Sequence, residues 1–363
     1  MTSFAFADDL GPEKLIEITE PRTGLRAILV VDNTAAGPAI GGCRMAPDVT
    51  AAECFRLARA MTLKNAAAGL PHGGGKSVIA ADPHMEPAAK QRLMHAFARA
   101  IGEIGSYIVG PDMGTDETAM AWVRDEIGRA VGLPRELGGI PLDQIGATGW
   151  GLRAAALAAA ERLGRPLRGA RIAVQGWGAV GRWAARFLIA EGAVLVAASD
   201  SRGTVADPAG LDPDRLDAMK AAGRSVAEAG AALPPEAVIA ADCDILIPAA
   251  RPDVIHEGNA GAVRAGLVLE GANIPATPAA EAALAARDVV VVPDFIANAG
   301  GVICAAVEHR GGSERMAMAE IEERVGRNTA EVLSRAAAEG VTPRAAAEAI
   351  ARERVLRAMA FRR

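Results

Sequence analysis

The stretch Arg171-Ile172-Ala173-Val174-Gln175-Gly176-Trp177-Gly178-Ala179-Val180-Gly181 decides the fold of half this chain. Its first five residues, with an apolar centre, read as a buried strand. They run into Gly-x-Gly-x-x-Gly, and residues 180–191 then read as a helix. Strand, glycine-rich turn and helix in that order open a dinucleotide-binding βα unit. Gly176 is expected to make the tight turn, Gly178 to let a pyrophosphate reach the backbone, and Gly181 to let the helix pack on the strand. Ala179 and Val180 lie at the helix start, where N–H groups and the macrodipole favour negative charge. Asp200 ends the next predicted strand, about twenty residues on, where an acid accepts the ribose hydroxyls. Ser201 and Arg202 follow, and an arginine there receives a 2′-phosphate. The expected cofactor is therefore NAD, with NADP not excluded.

Outward from that unit, strand and helix alternate. Residues 152–163 read as a helix, and 193–199, 244–248, 267–270 and 289–292 as strands. This pattern implies a parallel sheet with helices on both faces. Upstream, 24–32, 77–81 and 106–109 read as strands, and 50–67, 85–104 and 115–131 as helices. Thr50 and Glu53 have capping-box spacing. Residues 132–151, rich in Gly and Pro, form the boundary, and from 313 onward the pattern is almost all helical. The prediction is a two-domain α/β protein. Residues 1–140 form a substrate-binding and oligomerisation domain, and helices 328–363 return to it. Residues 141–327 form a Rossmann dinucleotide-binding domain.

Bulk properties narrow the function. The chain has 363 residues, 51% hydrophobic and 3% aromatic, with a net charge of -5. No apolar run approaches the roughly 18–20 residues that span a bilayer, and no secretory signal is visible, so a cytoplasmic protein is expected. Charges of both signs are scattered, which predicts no nucleic-acid surface. Cys43, Cys54, Cys243 and Cys304 are far apart and read as reduced thiols. The five histidines lack His-Glu-x-x-His spacing, so no metal is expected.

The second informative stretch is Met61-Thr62-Leu63-Lys64-Asn65-Ala66-Ala67-Ala68-Gly69-Leu70-Pro71-His72-Gly73-Gly74-Gly75-Lys76. Two ammonium groups lie on a small, apolar segment, and charge is costly to desolvate. A small anionic substrate would satisfy Lys64. Desolvation favours an amine, which makes Lys76 a candidate general base. The three glycines strip the backbone so that a ligand can come close. A solvated surface loop is the plain alternative. A P-loop is rejected, because five residues separate Gly69 from Gly75 and a strand rather than a helix follows Ser77. Asp112, in Gly110-Pro111-Asp112, reads either as a local cap or as a proton-passing carboxylate beside Lys76.

Together these segments resemble the glutamate/leucine/phenylalanine/valine dehydrogenase family, and its leucine dehydrogenase-like branch in particular. The match is carried by Gly41-Gly42-Cys43-Arg44-Met45, the Lys64 to Lys76 stretch, Gly110-Pro111-Asp112, the Gly176 to Gly181 fingerprint, Glu270-Gly271-Ala272-Asn273, and Val292-Pro293-Asp294-Phe295-Ile296-Ala297-Asn298-Ala299-Gly300-Gly301-Val302. The resemblance implies that Lys64 binds the substrate α-carboxylate, Lys76 activates water and Asp112 shuttles protons. It implies that Gly41 and Gly42 line the substrate pocket, that Asn298 belongs to the substrate side, and that Thr148 and Asn273 contact the cofactor. The partners implied are an amino acid or 2-oxo acid and ammonia, with the chain as a homo-oligomer.

Glutamate-specific relatives place a lysine directly before the Gly-Gly-x-Arg block and a serine three residues beyond the valine of Asn-Ala-Gly-Gly-Val. This chain has Ile40 and Ala305 there. An apolar substrate is therefore expected, with Gly110 and Val302 as further pocket residues. Branched-chain size is favoured; an aromatic substrate is the alternative, and a silent NAD-binding sensor the alternative of another class. His72, where the family has Met or Leu, reads as a packed histidine, and the sharper option is that it tunes Lys76. Trp150 and Trp177 read as packing.

Overall fold

The structure is a computed structural model and describes residues 3–362, with the side chains of Ser3 and Phe4 left aside. The chain divides into two compact units. The first runs through Pro141 and adds Val302–Ala317 and the chain from Ala349; the second comprises Leu142–Gly301 and Met318–Glu348. The sequence reading returned everything from 328 to the first domain. By contacts, 318–348 stays with the second unit, because α-helical spacing shows that a helix has a buried face but not which core covers it.

In the first unit, strands β1 (Lys14–Glu20), β2 (Leu25–Asn33), β3 (Ala39–Met45), β4 (Gly73–Ile79) and β5 (Tyr107–Pro111) form one sheet in the order β1-β2-β4-β3-β5. β4 is antiparallel to β2 and parallel to β3, and β3 is parallel to β5. Helices α1 (Ala51–Ala67), α2 (Pro87–Ala100) and α3 (Glu117–Ile127) complete it. Thr50 caps α1 by accepting from Glu53 N at 3.2 Å, but the Glu53 carboxylate pairs with Arg44 at 2.6 Å, which leaves the capping box half made. Helix α3 ends four residues before expectation, at Gly128 in the left-handed region (φ 71).

The largest departure is β4. The Gly73-Gly74-Gly75 run is not a loop that exposes backbone to a ligand. It is the start of a central strand buried at every residue. A Cβ on Gly73 would lie 1.7 Å from Asn33 O, on Gly74 2.0 Å from Thr62 N, and on Gly75 2.9 Å from the Tyr107 ring. The missing side chains admit β2, α1 and Tyr107. Strand propensity argues against three glycines, and this tertiary crowding overrides it.

The second unit holds α4 (Ala147–Leu163), β6 (Arg171–Gln175), α5 (Ala179–Ala190), β7 (Val194–Asp200), β8 (Gly203–Ala206), α6 (Pro213–Ala221), β9 (Ile245–Pro248), β10 (Leu267–Leu269), α7 (Pro278–Ala285), β11 (Val290–Val292) and α8 (Asp294–Ala297). Its sheet has the order β11-β10-β9-β6-β7-β8, parallel except for β8. The chain closes with α9 (Gly300–His309), α10 (Glu314–Glu339) and α11 (Pro343–Met359). All four cysteines are free and buried. Among the described residues no helix is long and apolar enough to cross a membrane, and no group of three His, Cys, Asp or Glu side chains is placed to hold a metal ion.

Candidate active site

Strand order builds the polar centre of the first unit. β3 lies between β4 and β5, so Lys76 on β4 and Asp112, just past β5, are separated by a strand. They nevertheless form an ion pair. Gly42 of β3 is the reason. A Cβ there would stand 3.2 Å from Lys76 Nζ and 2.8 Å from Asp112 Cβ. Its missing side chain is the passage through which the lysine crosses the strand. Gly42 was expected to line a substrate pocket; the structure shows it opening the path between the two charged groups. Gly41 differs again, since its Cβ would fall 1.7 Å from Gly75 O, a purely internal contact.

Lys76 is buried, with 8% of its side chain exposed. Burial acts to raise the Asp112 carboxyl, but the Lys76 charge and hydrogen bond, the Met113 backbone and Arg44 outweigh it and hold the group below its ordinary value. Its backbone is fixed as well: Asp112 N donates to Thr115 Oγ1 at 3.0 Å, and that hydroxyl donates to Cys43 O at 2.7 Å. Lys64 sits half-buried in the last turn of α1.

Beside this centre is an apolar cluster. Ile40, Ile108 and Val131 are buried together, and Ala305 packs on them. Gly110 belongs to the same wall, because a Cβ there would meet Val131 Cγ2 at 3.2 Å. Sequence reasoning found Ile40, Gly110 and Ala305 but missed Ile108 and Val131. Alternation along β5 points to Ile108, but nothing local marks Val131. Its loop is held by a buried carboxylate on α9, Glu308, which accepts from Leu133 N at 3.1 Å and Ile140 N at 2.9 Å. Val302, one turn before Ala305, is half-buried. His72 is 7% exposed; its Nδ1 lies 3.1 Å from Pro38 O and its ring meets His309 edge-on at 5.7 Å. Burial pushes its basicity down, with Pro38, His309 and Arg310 as the other influences, so it reads as packing.

In the second unit the three fingerprint glycines do three different things. Gly176 has φ 97 and its Cβ would meet Ala250 at 2.6 Å. A Cβ on Gly181 would fall 2.0 Å from Gly176 O, so only glycine lets α5 settle on β6. A Cβ on Gly178 would meet nothing within 4 Å. Gly178 is the N-cap of α5 with no side-chain cap, so the N–H groups of the first turn, including those of Ala179, Val180 and Gly181, have no side-chain acceptor at the helix end. An open approach to uncapped N–H groups fits a dinucleotide pyrophosphate. Trp177 is buried and donates to Asp217 at 2.7 Å, and Trp150 donates to Met318 O at 3.0 Å, both as packing.

Asp200 departs from its expected role as an open ribose ligand. Its Oδ1 accepts from Arg202 N at 2.9 Å and Ser225 Oγ at 2.8 Å; its Oδ2 accepts from Lys220 Nζ at 3.1 Å and Val226 N at 3.1 Å. A carboxylate has about four acceptor positions, and here protein donors take all four. Burial opposes the charge, yet those donors hold the group down to about 2. The Asn298 amide donates to Asn273 Oδ1 at 3.1 Å and to Ala272 O at 3.3 Å, within the second unit. Thr148 lies in the first turn of α4, its Oγ1 3.7 Å from where a Gly301 Cβ would stand.

Comparisons with known proteins agree in family. Residues 12–129 match the Glu/Leu/Phe/Val dehydrogenase dimerisation domain, and residues 138–363 match Glutamate/Leucine/Phenylalanine/Valine dehydrogenase. The chain is 38% identical over 355 residues to a glutamate dehydrogenase of Aeropyrum pernix, covering 91% of this chain and 85% of that protein. It is 41% identical over 305 residues to an NADP(+)-dependent glutamate dehydrogenase of Pyrobaculum calidifontis, covering 77% and 71%. The hetero-hexameric glutamate dehydrogenase of Thermus thermophilus in its Leu-bound form superposes with a TM-score of 0.85 at 33% identity, covering 97% of this chain and 90% of that one. These relatives bear the name glutamate dehydrogenase, so the expected leucine-like specificity gains no support from them.

Proposed function

Since the chain belongs to the Glu/Leu/Phe/Val dehydrogenase family and is an amino acid dehydrogenase, we propose that it oxidatively deaminates an apolar L-amino acid of branched-chain size to the 2-oxo acid and ammonia. The observation that carries this reading is the cluster of Ile40, Ile108, Val131 and Ala305. On this reading it would offer only hydrocarbon where a glutamate side chain needs a cation and a hydroxyl. Burying an unpaired carboxylate there costs several kcal/mol, whereas a branched aliphatic chain gains about 1.5–3 kcal/mol on full burial.

In this reading Lys64 holds the substrate α-carboxylate. Lys76 takes a proton from the water that attacks the oxidised Cα. Base action needs the amine, and Asp112, in direct contact, is the group able to carry the proton away and return it as the carbinolamine collapses. NAD(P), when bound, supplies the hydride acceptor. Gly176, Gly178 and Gly181, with the first turn of α5, would hold its pyrophosphate; Thr148 and Asn273 would face its nicotinamide half, and Asn298 would steady Asn273. NAD is the preferred form, because the anionic Asp200 repels a 2′-phosphate. Lys220, 38% exposed beside it, offsets part of that repulsion, so NADP is tolerated. The first unit, which carries the dimerisation-domain match, makes a homo-oligomer the expected state.

The test is NADH formation with Leu, Ile, Val, Phe, Trp and Glu, and with NAD and NADP in turn. Branched-chain substrates should lead; a clear preference for Glu overturns the pocket assignment. Ile40→Lys should introduce glutamate turnover and cut leucine turnover, since the new ammonium provides the missing counter-charge. No gain with Glu in a folded variant counts against Ile40 as a pocket residue.

A further inference from the structure

Arg44 is unassigned by any of the roles above, yet it faces the Lys76–Asp112 pair. It stands on β3, two residues after Gly42. Its Nη1 pairs with Glu53 Oε1 in the first turn of α1 at 2.6 Å. Arg44 Nε is buried, makes no hydrogen bond among the described residues, and lies 3.5 Å from Asp112 Oδ2. At that distance it is a counter-ion in waiting. A shift of about half an ångström would make it a charge-assisted hydrogen bond.

We propose that Arg44 is a positioning residue, the standing counter-ion that keeps Asp112 anionic and in place when Lys76 surrenders its charge or turns to the substrate. The proposal rests on the reading of Lys76 and Asp112 given above. Lys76 cannot act on water while it remains an ammonium bound to Asp112. When Lys76 has released its proton to solvent, ready to take one from water, Asp112 is a half-buried carboxylate without its partner, and such a group recruits a proton or another cation. The groups that face Asp112 are few. From β4 comes Lys76. From β3 come Arg44 and the Cys43 thiol, which burial pushes up to about 12. From β5 comes the Tyr107 phenol, also raised by burial and therefore neutral. Glu53 on α1 faces Arg44 and orients it. Of these, only Arg44 can replace the lost positive charge. It also holds Asp112 below its ordinary value, together with the larger influence of Lys76.

A purely structural Arg44 would tie β3 to α1 through Glu53 and leave the chemistry alone. The pH dependence of kcat separates the two roles, with NADH binding by fluorescence as the check on folding. Arg44→Met should bind NADH as the wild type does and lose about tenfold or more in kcat, within the span of a general acid–base contribution. Its acid limb should move to higher pH by roughly one unit. Arg44→Lys, which keeps the charge, should restore most of the rate and most of the limb. An Arg44→Met profile that superimposes on the wild type, with Asp112→Asn inactive, overturns the proposal and leaves the reading of Asp112 intact. Near-normal turnover in Asp112→Asn overturns that reading, and the proposal falls with it. Should Arg44→Met not fold, Arg44→Lys decides: retained rate supports a counter-ion, and loss as deep as that of Asp112→Asn overturns it.

Discussion

Two glycine-rich segments dominate this chain, and they serve opposite ends. Gly73, Gly74 and Gly75 in the first unit, with Gly41, make room for the protein's own atoms: a carbonyl, an α1 backbone amide, a tyrosine ring. Gly178 in the second unit makes room for nothing in the chain, because a Cβ there would touch no atom within 4 Å. Gly42 stands between these cases and leaves space for a side chain, the Lys76 ammonium. From the sequence, all of them read as backbone bared for a ligand. In the structure Gly178, of these, is the one with open space beside its backbone. The charged groups show a parallel contrast. In the first unit Lys76 meets one carboxylate. In the second, Arg344 is shared by Glu270, Glu281 and Asp294 at 2.7, 2.7 and 3.0 Å.

The sharpest test of the first unit empties the space beside Gly42. Lys76→Ala should fold, bind NADH, and lose about 10²–10⁴-fold in kcat, the range of a lost general base; turnover near wild type removes Lys76 from the chemistry. A paired exchange then tests the two glycine classes directly. Gly74→Ala should cost about 3 kcal/mol or more in denaturant unfolding, since the α1 backbone amide only 2.0 Å from the new Cβ cannot give way cheaply. Gly178→Ala should unfold with the wild type and instead weaken dinucleotide binding about tenfold by calorimetry, because it blocks the approach to the uncapped helix end. If the two variants exchange phenotypes, the distinction between protein-fitting and ligand-fitting glycines fails.

The smallest expected effect concerns Arg344 and its three acids. Glu270 is fully buried, and burial pushes it up to about 8 from an ordinary value of 4.5; Arg344 opposes that shift, and Asp294 and Glu281 add to it. The folded state thus holds this proton more tightly than the unfolded chain. The stability it contributes is complete below about pH 4.5 and is lost as pH rises through about 8. Glu270→Gln cannot titrate, so the difference in melting temperature, variant minus wild type, should grow from pH 5 to pH 9. A constant difference across that range contradicts the assignment.

Much of the second unit was legible because its signals are local. Period-2 and period-3.6 patterns, the Gly-x-Gly-x-x-Gly spacing and the acid about twenty residues on all lie within one βα unit. Even there, Asp200 was read as an open ligand, and Lys220, Ser225 and Val226 occupy it from twenty or more residues away. In the first unit the family blocks point to Lys64, Lys76 and Asp112, but the glycine run reads as backbone bared for a ligand or as a solvated loop, where the structure has a central strand. Val131 and Glu308 carried no signal at all, since one is defined by a cluster and the other by two distant backbone amides.

The order of residues alone determined the fold class, the dinucleotide fingerprint and the family, because each depends on spacing along the chain and on side-chain chemistry at short range. The tertiary structure alone decided which glycines face protein and which face open space, that Lys76 crosses a strand through Gly42 to reach Asp112, and that Arg44 waits beside them. Those outcomes depend on what the neighbouring strands and helices place within a few ångströms, and no local pattern encodes that.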